Sequence, residues 1–253
     1  MIQIKQFYAH NELRNYSYLL FDDQTGKAWA IDPYDAQPFI DYIRKKRLDL
    51  QGILNTHQHF DHIRGNLPLQ ETFSCPIKKL VNAETILLDA EHELETLDTP
   101  GHTLDHQVFI IKKQLIPWAL FSGDTLFNAG VGNCKNGGNP DTLFETTNKL
   151  IASLPDSTLL YPGHDYAQRN LEFARKLEPD NSEISHQFLK IHDIPAERRH
   201  PETLKIEKLV NPFLRLSSKD LRQQVLGKRI SLEDEGHLER NLFKQIRTLR
   251  DSW

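Results

Sequence analysis

The sequence predicts an α/β protein (α+β) in which mixed sheets are covered by helices and are followed by a helical C-terminal region. In the first two thirds, short apolar runs separated by turn residues are typical of strands. Amphipathic helical patterns lie between some of these runs, at 36–47 and at 142–153. After about residue 166 the segments become charged, amphipathic and poor in strand signals. Strands mixed with helices, then helices alone, favour sheets packed under helices.

Each predicted strand is a short apolar run bounded by polar or turn residues. The strands are expected at 16–21, 28–32, 52–56, 108–111, 119–124 and 158–164. The change of character near residue 166 indicates a domain boundary, so we expect domains at 1–166 and 167–253. Within the second domain, the proline-containing stretch 195–212 predicts an extended linker between helix pairs.

The composition disfavours several classes of protein. The 253 residues carry a formal net charge of −4 with the two signs interspersed, which argues against a nucleic-acid or anionic-membrane partner. The chain has neither a run of roughly 18 apolar residues nor a basic N-terminal stretch followed by an apolar one, so we expect a cytoplasmic protein. Cys75 and Cys134 lie far apart without a CxxC spacing, which argues against a disulfide framework.

The strongest functional signal is the segment THQHFDH at residues 56–62, directly after a predicted strand. It contains four potential metal ligands, which are His57, His59, Asp61 and His62. If the strand continues through His57 and His59, their side chains point to the same side, because strand side chains alternate with period two. Asp61 and His62 then enter the next turn and point to a neighbouring position. This pattern favours two metal centres over one.

Three further candidate ligands follow along the chain, each beside a glycine. They are His102 in PGHT, Asp124 in FSGDT and His164 in YPGHD. Glycine beside a polar residue also marks ordinary turns, so each of these segments alone is a weak signal. Together with the first segment they supply five imidazoles and two carboxylates, which cannot converge in a buried pocket without positive charge to hold them. The set therefore predicts bound metal cations.

These motifs, in this order, resemble the metal signature of the metallo-β-lactamase superfamily, whose fold is a four-layer αββα sandwich. The longer segments GDTLFNAGVGN, PGHDYAQRNLEFARKLEPDN, LVNPFLRL and IRTLRD resemble the glyoxalase II family within it, over nearly the whole chain. The resemblance implies that one ion is bound by His57, His59 and His102, that the other is bound by Asp61, His62 and His164, and that Asp124 bridges them. Zinc is the expected metal, and the same ligand types also accept iron or manganese.

The resemblance to glyoxalase II implies a thioester hydrolase for S-(2-hydroxyacyl)glutathione, such as S-D-lactoylglutathione, in methylglyoxal detoxification. The products are glutathione and a 2-hydroxy acid, in this case D-lactate. A hydroxide held between two cations is a nucleophile at neutral pH, and Asp61 and Asp124 are the carboxylates expected to act with it. One ion stabilises the oxyanion, and a thiol with a pKa of about 8.5 leaves without a strong general acid. The first domain then binds metal, and the second binds substrate.

Glutathione carries two carboxylates and an ammonium group, so its site is expected to offer cations and planar donors. By resemblance, Arg247 and Arg250 in IRTLRD and Tyr166 in GHDY contact glutathione. The lysine that many relatives carry after GDTLFNAGVG is missing, because Asn133 stands in its place. We expect Lys135, two residues further on, to restore that charge on the same side of an extended loop.

The nearest alternative is a glutathione persulfide dioxygenase, which shares the fold and the histidine pattern and generally uses one iron. The long helical C-terminus and the NPFLRL segment argue against it. The final third of the chain disfavours a β-lactamase, and the mildly acidic charge balance disfavours a nuclease. A non-catalytic metal-binding module is expected to have lost ligands, and none is missing here. The expected partner is a small-molecule glutathione thioester bound by a monomer.

Overall fold

The computed structural model describes residues 1–227 and 235–253, and this part of the chain divides into two compact units. The first unit consists of Met1–Asp98, Asp105–Gly123 and Tyr161–Asp165, and the second of Thr99–Leu104, Asp124–Leu160 and Tyr166–Trp253. The longest segment of the second unit begins at the predicted boundary, but this unit also includes two earlier segments. The division into domains at 1–166 and 167–253 stays a prediction. No helix among the described residues is long and apolar enough to cross a bilayer.

Two groups of strands form most of the first unit. The strands are β1 (Ile2–Tyr8), β2 (Tyr16–Asp22), β3 (Lys27–Ile31), β4 (Asp49–Leu54), β5 (Ile77–Lys78), β6 (Thr85–Leu87), β7 (His92–Asp98), β8 (Gln107–Lys113) and β9 (Ile116–Gly123). Strands β1 to β5 form one sheet in sequence order, in which β3, β4 and β5 are parallel neighbours and the other pairs are antiparallel. Strands β6 to β9 form an antiparallel meander. The helices of this unit are α1 (Ala36–Lys46), α2 (Phe60–Ile63) and α3 (Asn66–Phe73).

Helix α1 covers one face of the five-stranded sheet and confirms the helix predicted at 36–47. It begins after Asp35, whose carboxylate accepts a hydrogen bond from the backbone N of Gln37 at 3.1 Å. Its apolar face includes Phe39 and Ile43, which are buried in one core cluster with side chains of β2, β3 and β4. Burial of this amphipathic face stabilises the helix, since isolated helices of this length are marginal in water.

The other face of this sheet packs against the meander. The ring centroids of Tyr18 on β2 and Phe121 on β9 are 5.1 Å apart. The Tyr18 hydroxyl donates a hydrogen bond to the carbonyl oxygen of Pro162 at 2.6 Å. All seven residues of β2 are buried, as expected for a strand covered on both faces.

The register of β3 and β4 determines where the predicted metal-binding segment begins. The two strands are parallel neighbours, and Ile31 at the end of β3 lies opposite Leu54 at the end of β4. The backbone N of Asp32 donates to the carbonyl oxygen of Leu54 at 3.0 Å. The residues that follow both strands therefore leave the sheet at the same edge, which brings Asp32 close to the THQHFDH segment.

The second unit is mainly helical. Its elements are β10 (Leu126–Phe127), β11 (Gly130–Val131), α4 (Pro140–Ser153), α5 (Ala167–Leu177), α6 (Ser182–His192), β13 (Glu202–Thr203), α7 (Leu204–Val210), α8 (Lys219–Leu226), α9 (Glu235–Asp251) and short 3-10 helices at Ala196–Arg198 and Pro212–Leu214. Strand β12 (Leu159–Pro162) begins in this unit and ends in the first. Helix α4 confirms the helix predicted at 142–153, and Phe144 on α4 contacts Phe243 on α9 with ring centroids 5.5 Å apart.

The extended linker predicted at 195–212 is wrong, because helix α7 lies within it. Pro195, Pro201 and Pro212 all lie outside α7, so these prolines bound the helix and do not break it. Leu204 and Val210 are buried in the second unit, and this burial stabilises the short helix.

A buried carboxylate ties α7 to the β10–β11 hairpin. Glu207 accepts hydrogen bonds from Asn128 Nδ2 at 3.0 Å, from the backbone N of Ala129 at 2.7 Å and from Asn211 Nδ2 at 3.3 Å. Burial raises the pKa of Glu207 to about 7, although all three hydrogen bonds favour the ionised form.

We expect the Glu207→Gln variant to lose a pH-dependent contribution to the free energy of unfolding. The folded-state pKa of Glu207 lies above its ordinary value of 4.5, so the folded protein binds this proton more tightly than the unfolded chain does. The stabilisation is complete below about pH 4.5 and is lost as the pH rises through about 7. Between about pH 5 and about pH 8, the unfolding free energy of the wild type relative to Glu207→Gln should fall by roughly 2 kcal/mol in urea denaturation. Parallel pH profiles would contradict this, and Glu183→Gln, at an exposed position, is the control.

Candidate metal centre

The THQHFDH segment is anchored at its first residue by a buried aspartate. Asp32 is 3% exposed and accepts hydrogen bonds from the backbone N of Thr56 at 2.7 Å and from Thr56 Oγ1 at 2.6 Å. Gly123, with a φ of 47°, allows β9 to end close to the same residue, because a Cβ at Gly123 would lie 2.5 Å from Thr56 Oγ1. The start of the segment is therefore fixed by the fold.

His57 and His59 lie in the loop beyond β4, because the strand ends at Leu54 and does not continue through them. The loop nevertheless brings them together, with His57 Nε2 and His59 Nδ1 3.0 Å apart. The Thr56 hydroxyl donates to Asp32, so it accepts from His57 Nδ1 at 3.1 Å. This arrangement leaves His57 Nε2 as the nitrogen that can bind a metal.

Asp61, His62 and His164 form a compact group in which the ligand atoms all lie within 4.8 Å of one another. His62 Nδ1 donates to the Asp32 carboxylate at 2.9 Å, and His164 Nδ1 donates to the carbonyl oxygen of Leu13 at 2.8 Å. We therefore assign the proton of each ring to Nδ1, so that the two Nε2 atoms, 3.2 Å apart, both present lone pairs. Asp61 Oδ2 lies 3.6 Å and 3.5 Å from these two nitrogens. Acceptor atoms at this spacing fit a divalent cation.

Two residues outside the predicted set, Asp32 and Asn15, form hydrogen bonds with these candidate ligands. Asn15 Nδ2 donates to Asp61 Oδ2 at 2.8 Å. A signal for Asp32 existed in the sequence, namely an acidic residue at the end of a predicted strand and next to a proline. Asn15 had no such signal, because it contacts a residue 46 positions away and only the fold brings the two together.

The second unit contains the other two predicted ligands. His102 Nε2 lies 3.5 Å from Asp124 Oδ2, and both side chains are buried. His102 Nδ1 donates to the backbone oxygen of Asn133 at 2.6 Å, which leaves Nε2 for a metal. Gly132 permits this close approach, since a Cβ there would lie 2.0 Å from the carbonyl oxygen of Asp124 and 3.0 Å from His102 Nδ1. Imidazole nitrogens and carboxylate oxygens in both units fit zinc, iron or manganese.

Arg247, a predicted glutathione contact, is 7% exposed. Its Nη1 donates to the carbonyl oxygens of Val131 at 2.8 Å and Gly132 at 3.2 Å, and its Nη2 pairs with Asp251 at 2.9 Å. Arg247 therefore holds the end of β11 and the residue before Asn133. Its direct contact with glutathione stays a prediction.

Arg250, the second predicted arginine, is partly buried and hydrogen-bonds a neutral group. Its Nε and Nη2 donate to the same oxygen, Asn170 Oδ1, at 3.1 Å and 3.0 Å. Burial, together with the nearby cations Arg247 and Arg169, lowers the pKa of Arg250 to about 10. The amide cancels none of the charge of this guanidinium, and the nearby Asp251 carboxylate does not offset the burial and the two cations, so an anionic ligand would stabilise it.

The remaining predicted substrate residues lie on the loop after β11 and at the start of α5. Lys135 is exposed, and its Nζ donates to the carbonyl oxygen of Asp251 at 3.2 Å. The side chain of Asn133 accepts from the backbone N of Lys135 at 3.0 Å. Tyr166 is half-buried directly before α5. Burial raises the pKa of Cys134 to about 11, so its thiol is not ionised at neutral pH. The substrate roles of Asn133, Lys135 and Tyr166 stay predictions.

Comparisons with known proteins agree with the fold. A family model of the metallo-beta-lactamase superfamily matches residues 19–118. A metallo-beta-lactamase from Staphylococcus aureus has a TM-score of 0.66 at 21% identity, covering 98% of this chain and 72% of its own. ETHE1 from Myxococcus xanthus has a TM-score of 0.64 at 21% identity, covering 98% and 99%. The chain is a metallo-β-lactamase-fold protein, which confirms the predicted α/β class with a helical C-terminal region.

Sequence relatives narrow this class to one family. A model of the hydroxyacylglutathione hydrolase C-terminus matches residues 165–253. The hydroxyacylglutathione hydrolase of Polaromonas sp. is 36% identical over 99% of each chain, and that of Francisella philomiragia is 33% identical over the full length of each. This chain belongs to the hydroxyacylglutathione hydrolase family, the glyoxalase II family that its motifs resemble. It is a hydrolase, and these relatives favour that class over the persulfide dioxygenase alternative.

Proposed function

We propose that the chain hydrolyses S-(2-hydroxyacyl)glutathione thioesters, S-D-lactoylglutathione among them, to glutathione and a 2-hydroxy acid at a centre of two zinc ions. The metal part rests on the two imidazole Nε2 atoms of His62 and His164, which lie 3.2 Å apart beside the Asp61 carboxylate. The substrate part rests on family membership, with 33% to 36% identity over nearly the whole chain.

The proposed ligand sets follow the order of the family motifs. One ion would be held by His57, His59 and His102, the other by Asp61, His62 and His164, and Asp124 would bridge them. In the proposed division of the chain, residues 1–166 form the metal-binding domain and residues 167–253 the substrate-binding domain, and the first domain also contributes Asn133, Lys135 and Tyr166 to substrate recognition. A place in methylglyoxal detoxification, a cytoplasmic location and a monomeric state stay predictions.

The chain's own residues prepare the site for this reaction. Divalent ions, when bound, supply a water of lowered pKa and polarise the thioester carbonyl. Hydrogen bonds from Nδ1 hold four of the proposed imidazole ligands with Nε2 unprotonated, namely His57, His62, His102 and His164. Asp61, which Asn15 holds at one oxygen, and Asp124 are the carboxylates proposed to orient the attacking water and accept its proton. Glutathione leaves as a thiolate, which needs no protonated carboxyl group because a free thiol has a pKa of about 8.5.

The residues proposed to recognise glutathione are Arg247, Arg250, Lys135, Tyr166 and Asn133. Arg250 is the best supported, since its charge is not cancelled by the neutral amide to which it donates. Lys135 donates to the end of α9, the helix that carries both arginines, which supports its proposed replacement of the family lysine. The side chain of Asn133 accepts a backbone hydrogen bond within the same loop.

We expect Lys135→Ala to raise the KM for S-D-lactoylglutathione about fivefold and to leave kcat unchanged. An exposed cation that pairs with a substrate carboxylate contributes up to about 1 kcal/mol, which corresponds to that factor. Because the contact is the same in the ground state and the transition state, only KM should change. Initial-rate kinetics measure both constants, and Lys149→Ala, at an exposed position on α4, is the control. An unchanged KM would show that Lys135 does not replace the missing lysine.

The proposed function is tested by steady-state hydrolysis with purified, metal-analysed protein. One substrate is S-D-lactoylglutathione, and the other is an acyl thioester of a simple thiol that lacks the glutathione peptide. Rapid hydrolysis of the first and slow hydrolysis of the second would support both the reaction and the recognition of glutathione. If neither thioester is cleaved by protein that contains two ions per chain, the proposed substrate is wrong.

A further inference from the structure

The loop between β1 and β2, residues 9–15, is closed on itself by hydrogen bonds. The backbone N of Ala9 donates to the carbonyl oxygen of Asn15 at 3.0 Å. Asn11 Nδ2 donates a hydrogen bond to Asn15 Oδ1 at 2.7 Å. In return, the backbone N of Asn15 donates to Asn11 Oδ1 at 3.0 Å. Because Asn15 Oδ1 accepts from Asn11, the amide orientation of Asn15 is defined, and its Nδ2 points away from the loop.

That Nδ2 group meets the carboxylate of a proposed metal ligand. It donates to Asp61 Oδ2 at 2.8 Å and lies 3.3 Å from the carbonyl oxygen of Asp61. The same Oδ2 atom faces His62 Nε2 and His164 Nε2. Asn15 is 1% exposed, so water does not replace this donor. The Asp61 carboxylate is therefore held in the direction of the two imidazoles by an amide from a distant part of the chain.

The same loop also holds the turn that carries His164. The carbonyl oxygen of Leu13 accepts from His164 Nδ1 at 2.8 Å. The carbonyl oxygen of Arg14 accepts from the backbone N of Asp165 at 2.9 Å, and the Arg14 guanidinium donates to Asp165 Oδ2 at 2.5 Å. On the other side of the turn, the backbone N of Tyr16 donates to the carbonyl oxygen of Gly163 at 2.8 Å. Contacts on both sides of His164 fix its position relative to Asp61.

We propose that the loop at 9–15 positions the metal site of Asp61, His62 and His164, and that Asn15 is the positioning residue that orients the Asp61 carboxylate. This inference rests on the proposed function, because it takes these three side chains as metal ligands. Residues that hold metal ligands by hydrogen bonds commonly change metal affinity about 10- to 100-fold when they are replaced. Loss of a preorganised ligand costs affinity because the chain must then order that side chain on binding.

The experiment measures zinc affinity in the absence of substrate. Metal-stripped protein is titrated with Zn²⁺ against a competing chelator. We expect Asn15→Leu to weaken the binding of one of the two ions about 10- to 100-fold and to leave the other ion unchanged. Asn11→Ala keeps Asn15 but removes the hydrogen bond that orients the Asn15 side-chain amide, so it should cause a smaller loss of zinc affinity at the same ion. This second variant keeps the test valid if Asn15→Leu folds poorly. Asn82→Ala is the control, because it removes an exposed asparagine side chain that accepts a hydrogen bond from the backbone N of Asp98 at 2.9 Å, away from the proposed ligands.

A second comparison separates positioning of Asp61 from a general structural effect. In an Asp61→Ala background the carboxylate acceptor is gone and only the backbone carbonyl of residue 61 remains, so Asn15→Leu should cause a much smaller further loss of zinc affinity. An equal loss with and without the Asp61 carboxylate would overturn the proposal, and so would wild-type affinity in both Asn15→Leu and Asn11→Ala. Either outcome would contradict only the positioning role of Asn15, because neither bears on whether the wild-type protein hydrolyses the thioester. A wild-type protein that binds no zinc would overturn the proposed function together with the inference.

Discussion

Replacement of Asp124 by Asn is expected to lower kcat/KM for S-D-lactoylglutathione about a thousandfold, which is about 4 kcal/mol of transition-state stabilisation. In the proposed bridging position, a single carboxylate serves both ions, and an amide offers neither of them a negative charge. The side chain is buried, so solvent does not compensate for the loss. Steady-state kinetics and metal analysis of the same preparation separate loss of an ion from loss of activity with both ions bound.

The matched control for this prediction is Asp105→Asn. Asp105 lies three residues after His102, and its side chain is exposed. The control removes the same charge and should keep metal content and kcat/KM close to the wild-type values. An Asp124→Asn enzyme that binds two ions and keeps more than about a tenth of the activity would contradict the bridging role.

The candidate ligands of the THQHFDH segment, which the structure brings close together, could be selected from sequence because their signal is local. His57, His59, Asp61 and His62 fall in one short segment, and dense runs of metal-binding residue types have few structural explanations. Helix α1 was predicted for a related reason, since its amphipathic pattern repeats within a few turns. Both patterns can be recognised in the sequence without knowledge of tertiary contacts.

The residues that hold the ligands could not be predicted in the same way. Asp32 contacts Thr56 across 24 positions, and Asn15 contacts Asp61 across 46 positions. Only the parallel pairing of β3 with β4 and the path of the β1–β2 loop bring these pairs together. Helix α7 was missed for another reason, because the prolines on both sides of it indicated an extended segment. Helix formation there depends on burial of Leu204, which a local pattern does not reveal.

The proposed support of His102 does not require a particular side chain at position 133. The contact of this position with His102 is made by the backbone carbonyl oxygen, so it does not depend on the side chain. Asn133 in place of the lysine that the resemblance implies is therefore compatible with the support of His102. Only recognition of the substrate should be affected, and this is the property that the Lys135→Ala measurement tests.

The second large effect is expected for Asp32→Asn, which should remove the ion proposed at Asp61, His62 and His164 and lower kcat/KM about a hundredfold. The Asp32 carboxylate accepts from His62 Nδ1 at 2.9 Å and from Thr56 at 2.6 Å and 2.7 Å. An amide at this position turns one acceptor into a donor. If that donor faces His62 Nδ1, the proton of the ring moves to Nε2, the nitrogen that should bind the metal. Metal analysis after dialysis against a weak chelator measures the loss of one ion per chain.

Asp22→Asn is the control that separates this effect from the general cost of altering a buried aspartate. Asp22 is also buried in the first unit, where its carboxylate accepts from Thr25 Oγ1 at 2.8 Å and from the backbone N of Gln24 at 3.2 Å. Both variants should lower the unfolding free energy, by about 1 to 3 kcal/mol for each buried donor left without an acceptor. Of these two variants, only Asp32→Asn should lose metal, because Asp32 contacts a proposed imidazole ligand, His62, and determines which of its nitrogens carries the proton. Retention of both ions in Asp32→Asn would show that the ligands themselves, and not Asp32, fix the protonation of His62.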